Sequence, residues 1–142
     1  EENYCDRREG VKLGVYSADA ADMVEKYLVP QETGNRTGVR WAKVTDDHGH
    51  GVLLRAAAFP ESGDAQSSRP GTMEFSAIPY SPAMLENARH AYELPPVHHT
   101  YIKCSLKQMG VAGDDSWGAR PHPEYLLPTD RRLVFAVDFK GI

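Results

Sequence analysis

Apolar and polar residues alternate with a period of two along much of the chain, the signature of half-buried strands. Val11, Leu13 and Val15 alternate with Lys12 and Gly14, predicting an early strand. Residues 38–45 and 52–59 predict a hairpin, broken by Asp46-Asp47-His48-Gly49-His50-Gly51. Its first strand is read with Val39 and Trp41 facing inward. Met73, Phe75 and Ala77 mark another strand, Ile102, Cys104 and Leu106 the next, and Leu133, Phe135, Val137 and Phe139 the last. Helical signals are few. Residues 18–26 favour a short helix by propensity alone. Ser81-Pro82 reads as an N-cap followed by proline at the first helical position, predicting a helix over 82–89 with Met84, Leu85 and Ala88 turned inward. Tyr27-Leu28-Val29-Pro30 reads as extended, because a residue before proline is pushed out of the α region. Residues 31–36, 60–71 and 108–123 are rich in chain breakers. Short strands separated by turns, with few helices, predict an all-β fold, an antiparallel β-sandwich.

The 142 residues suit a single domain, 1–142, with a core of its own. They are too few for a complete (β/α)₈ barrel, which takes about 250. Sixteen Lys and Arg against 20 Asp and Glu give a net charge of -4, and no basic run exists, so a nucleic-acid partner is not expected. No stretch approaches the length of a membrane span. Cys5 and Cys104 lie far apart and outside any metal-binding spacing, which favours two free thiols. The sequence begins Glu1-Glu2 without Met, as a piece of a longer protein would, so its lack of a signal-peptide pattern says little about the parent, and the expectation of a cytoplasmic protein goes with the two free thiols.

His48 with His50, and His98 with His99, lack the ligand number a zinc site demands, and exposed turn histidines are expected. Asp114 and Asp115 are adjacent on one loop, unlike the facing carboxylates of a glycosidase. Their expected work is to accept backbone N–H bonds and fix the loop, with Asp46-Asp47 the parallel case. Ser116 has no nucleophile-elbow context. Trp41 reads as core. Trp117 sits in a polar, glycine-rich loop. Its indole either folds back to plug the sandwich, the simpler account, or offers a flat apolar face to the C–H face of a sugar.

Four segments carry a resemblance. Glu2-Asn3-Tyr4-Cys5-Asp6-Arg7 resembles Glu-Asn-Tyr-Pro-Asp-Arg of the C-terminal domain of bacterial lacZ-type β-galactosidases, glycoside hydrolase family 2. Residues 27–37 resemble that family's Tyr-x-x-Pro-Gln-Glu-Asn-Gly-Asn-Arg-Thr. Phe75-Ser76-Ala77-Ile78-Pro79-Tyr80-Ser81, followed by a short helix and His90, also fits. Met109-Gly110-Val111-Ala112-Gly113-Asp114-Asp115-Ser116-Trp117 is similar to Met-Gly-(Ile/Val)-Gly-Gly-Asp-Asp-Ser-Trp. Cys5, Thr33 and Ala112 depart from the usual Pro, Asn and Gly.

The resemblance implies part of a galactose-mutarotase-like supersandwich, the second half of the C-terminal domain of a retaining β-galactosidase. It implies that the two catalytic glutamates, with the magnesium and sodium such enzymes commonly use, belong to a barrel domain upstream, leaving this chain without a cofactor or catalytic residue and inactive alone. It assigns Trp117 to stacking on the aglycone, the glucose of lactose. Gly110, Gly113, Asp114, Asp115 and Ser116 would shape the loop. Partners implied are a galactoside, the remaining domains and further copies in a homo-oligomer. Two other readings stand beside it: a freestanding carbohydrate-binding sandwich, and a purely structural interdomain module.

Overall fold

The computed structural model describes residues 13–57, 71–110, 113–115 and 117–142. Among the described residues six strands form two antiparallel three-stranded sheets: β1 (Arg36–Val39), β2 (Trp41–Thr45), β3 (Gly51–Ala56), β4 (Met73–Ile78), β5 (Tyr101–Ser105) and β6 (Val137–Gly141). One sheet has the order β1-β4-β5 and the other β2-β3-β6. The fold is an all-β sandwich. Its core joins Leu54 of one sheet to Met73, Phe75 and Ala77 of the other, with Val39, Ala42, Val44, Val52, Cys104 and Val137 packed against them. The alternation of Met73, Phe75 and Ala77 places all three on this inner face. The other face of β4 is covered too. Ser76 and Ile78 are buried, and the 3₁₀ turn Ala20–Met23 lies against the strand.

The 38–45 stretch is divided between the sheets. Gly38 has φ +65°, the chain breaks at Arg40, and only Trp41–Thr45 pairs with β3. This break shifts the alternation by one residue, and a one-residue shift exchanges the faces of a strand. Ala42 and Val44 therefore turn inward, while Trp41, expected in the core, is 44% exposed.

The early strand does not form among the described residues. Leu13 and Val15 stand exposed, and no ladder includes them. Alternation creates an apolar face, but a strand also needs a neighbour to bond. The helix expected over 18–26 shrinks to Ala20–Met23, whose N-cap Asp19 makes no side-chain capping bond and which buries no residue. Propensity without an apolar stripe does not sustain more than a turn. The last strand begins at Val137, not Leu133, because β3 offers partners only from Ala56, opposite Val137, to Val52, opposite Gly141.

The capped helix is present. α1 (Pro82–Asn87) has Ser81 at its N-cap, with Oγ accepting the Met84 N–H at 3.2 Å, and it buries Leu85. It ends two residues early, with Ala88 as its C-cap. Thr33, one of the departures from the family pattern, is buried. Its hydroxyl accepts the Glu25 N–H at 3.2 Å and donates to the Met23 carbonyl at 3.5 Å. Cys104 is a partly buried free thiol, and burial pushes its pKa up. Cys5, Ser116, the departure at Ala112 and nearly all of the 60–71 loop lie outside the described residues.

Candidate functional site: an aromatic loop braced from within

Beyond β5 the chain leaves the sheet and returns through the 3₁₀ turn Pro123–Tyr125. Successive closures narrow this excursion. At its base the Gly110 N–H donates to the Tyr125 carbonyl at 2.8 Å. A Cβ at Gly110 would lie 2.9 Å from Cβ of Tyr125 and 3.1 Å from Cβ of Pro121, so glycine permits the approach. Further out, the Gly113 N–H donates to the Ala119 carbonyl at 3.1 Å. At the tip, Oδ1 of Asp115 accepts the N–H of Trp117 at 2.8 Å and that of Ala119 at 3.2 Å. Gly118, with φ +102°, turns the chain back in a conformation that side chains disfavour.

This bracing holds the Trp117 backbone while leaving its side chain outside. Trp117 is 94% exposed, the most exposed of the large apolar residues described, so the indole does not plug the sandwich. Other large apolar side chains are nearly as exposed, Leu28 at 88% and Leu13 and Tyr92 at 83%, so what distinguishes Trp117 is the bracing of the loop that carries it.

The two neighbouring aspartates have divided roles. Asp115 bonds the backbone. Asp114 bonds a side chain: Nε2 of His122 lies 2.9 Å from its Oδ1 and 2.8 Å from its Oδ2. Nδ1 of the same ring lies 3.9 Å from Oε1 of Glu124. The hydrogen bond to Asp114, the Asp114 charge and the Glu124 charge, in that order, raise the His122 pKa above its ordinary value. His122 and Gly118 were not singled out by motif reasoning. The histidine stands alone in sequence, eight residues from its partner, and no motif marks it. Those pairs, His48 with His50 and His98 with His99, are exposed, and the first pair rings the hairpin turn. That turn repeats the tip design: Oδ1 of Asp46 accepts the N–H of His48 and of His50, each at 2.9 Å.

Among the described residues no three His, Cys, Asp or Glu side chains converge to hold a metal ion, and no helix is long and apolar enough to cross a membrane. The loop thus offers an apolar plane with polar groups at its foot.

The family model described as β-galactosidase small chain matches residues 1–139. The chain belongs to this small-chain family. It is 46% identical over 140 residues to the β-galactosidase BgaC of Bifidobacterium adolescentis, covering 99% of this chain and 12% of that protein. It is 42% identical over 142 residues to a β-galactosidase of Halalkalibacterium halodurans, covering 100% of this chain and 13% of that protein. A Streptococcus thermophilus β-galactosidase is 42% identical over 129 residues, 89% of this chain and 11% of its own length. The small-chain sequence therefore spans about an eighth of the relatives it matches.

Proposed function

We propose that this chain is a segment of a β-galactosidase and forms one wall of its leaving-group subsite. Trp117 lies flat against the aglycone sugar, and the 110–125 excursion sets its position. The catalytic carboxylates, with any magnesium or sodium, reside in a barrel elsewhere in the same enzyme. The reaction is retaining hydrolysis of terminal β-D-galactosides such as lactose, in which a galactosyl-enzyme intermediate passes its sugar to water or to glucose. The isolated chain is inactive, because it supplies neither acid nor nucleophile, and the working enzyme is an oligomer in the cytoplasm.

The single observation carrying this reading is an indole 94% exposed on a loop tied at its base, waist and tip, in a chain of the small-chain family. The unfinished inner face supports a larger parent. Phe139 sits opposite Leu54 in the row that faces the core, yet it is 78% exposed on the edge strand β6. More of the same polypeptide covers that row.

The test is Trp117→Ala in the intact enzyme, with the galactosyl-enzyme partitioned between glucose and water. Loss of the stacked ring, worth about 0.5–1.5 kcal/mol beyond area burial, weakens glucose as acceptor about two- to twelvefold. Trp117→Phe retains part of the effect. Unchanged acceptor affinity in Trp117→Ala refutes the role. Sugar binding by the isolated chain would favour a freestanding binding module instead.

A further inference from the structure

The backbone bonds that close the aromatic loop leave open how its tip is held against the turn beneath it. A side-chain pair spans that gap. His122, the N-cap of Pro123–Tyr125, meets both oxygens of Asp114, which lies between Gly113, whose N–H closes the loop's waist, and Asp115, which grips the Trp117 amide.

We propose that His122 is a positioning residue for Trp117, acting through Asp114 to hold the indole where the acceptor sugar meets it. This deepens the β-galactosidase reading and rests on it. The geometry favours imidazole in its charged form. One ring nitrogen faces the Asp114 carboxylate and the other faces Glu124 at 3.9 Å. Only the imidazolium presents a donor on both nitrogens; a neutral ring would turn a lone pair toward one of the carboxylates. The charged groups around it are Asp114 from the loop and Glu124 from its own turn. Lys107, following β5, reaches the same turn by donating to the Glu124 carbonyl at 3.4 Å.

The sign of the pH effect follows. The raised His122 pKa means that the brace is complete at and below the ordinary histidine range and slackens as pH rises through the raised value. Trp117 then samples more orientations, and acceptor affinity falls by the fraction of loops still in place. Both groups are solvent-exposed, so the effect is moderate.

The experiment uses the intact enzyme and the ratio of galactosyl transfer to glucose over transfer to water, measured from about pH 5.5 to about pH 9. Both branches leave the same intermediate, so titrations of the catalytic carboxylates affect them alike. The enzyme is expected to lose glucose affinity about two- to fivefold as His122 deprotonates, a modest loss suited to an exposed pair. H122Q removes the charge; it gives the weaker affinity already at low pH and a flat profile. D114N, which breaks the pair from the other side, flattens the profile too and serves if H122Q fails to fold. In a W117A background H122Q produces no further loss, because its effect passes through the indole. An H122Q profile parallel to that of the unsubstituted enzyme, or an equal loss with and without Trp117, overturns the proposal. If W117A lowers acceptor affinity while H122Q and D114N leave it untouched, only this inference falls; if W117A itself has no effect, the leaving-group reading falls first.

Discussion

Gly113 and Gly118 share one loop but are glycine for different reasons, so alanine at each separates crowding from backbone strain. A Cβ at Gly113 would lie 2.5 Å from the Arg120 carbonyl oxygen and 2.7 Å from both the Ala119 carbonyl carbon and its Cβ. The first contact is about 0.9 Å short of ordinary van der Waals distance, and two of the three obstacles are backbone, which cannot swing aside. Gly113→Ala therefore forces the two arms apart at the point where the Gly113 N–H meets the Ala119 carbonyl. Crowding of this kind costs about 1–3 kcal/mol. At Gly118 the added Cβ meets nothing within 4 Å, and only the positive φ opposes it. That strain is worth about 1 kcal/mol. Hydrogen exchange across residues 110–125 of the protein reads both penalties as easier local opening. Gly113→Ala is expected to speed exchange about fivefold to 150-fold, limited by the loop's own opening free energy, and Gly118→Ala about fivefold. Unchanged exchange in Gly113→Ala, or a larger effect from Gly118→Ala, would refute the account of how the arms are held.

Two further outcomes concern the sandwich. Ser81→Ala removes the acceptor of the Met84 N–H and is expected to cost about 1 kcal/mol in thermal unfolding, whereas Ser81→Asp, another good cap, holds stability near its starting level. Burial raises the Glu74 carboxyl above its usual pKa, against the lowering effects of the Asn35 hydrogen bond at 2.7 Å and the Lys107 charge. The folded chain therefore holds that proton more tightly than the unfolded chain, and stability declines as pH rises from 4.5 through the raised value. Glu74→Gln cannot titrate and keeps an oxygen for Asn35. Its melting temperature should gain on that of the unsubstituted protein as pH increases across this window, and a constant difference would count against the burial argument.

The sandwich was legible because the core-facing residues of its strands recur with a period of two. Met73, Phe75 and Ala77, on the inner face of β4, are 1%, 7% and 4% exposed, while the covering of Ser76 and Ile78 on the opposite face is not written in that pattern. The helix was legible because Ser81-Pro82 is a local signal whose hydrogen bond lies within four residues. Trp41 was misread because its facing depends on the break at Arg40, and a break between sheets leaves no mark in an apolar pattern. Leu13 and Val15 were misread because alternation reports a face and not a partner. The aromatic loop was legible as a motif, but its wiring was not. Which aspartate holds the backbone and which meets His122 is decided by how the chain doubles back between residues 113 and 125, a long-range matter that adjacent acidic residues cannot encode.

Asp115 grips the amides two and four residues ahead of it, as Asp46 does in the hairpin between β2 and β3. Each tip is thereby stapled to itself and not to the sheets. The residue displayed at such a tip can therefore be exchanged with little penalty to the scaffold below.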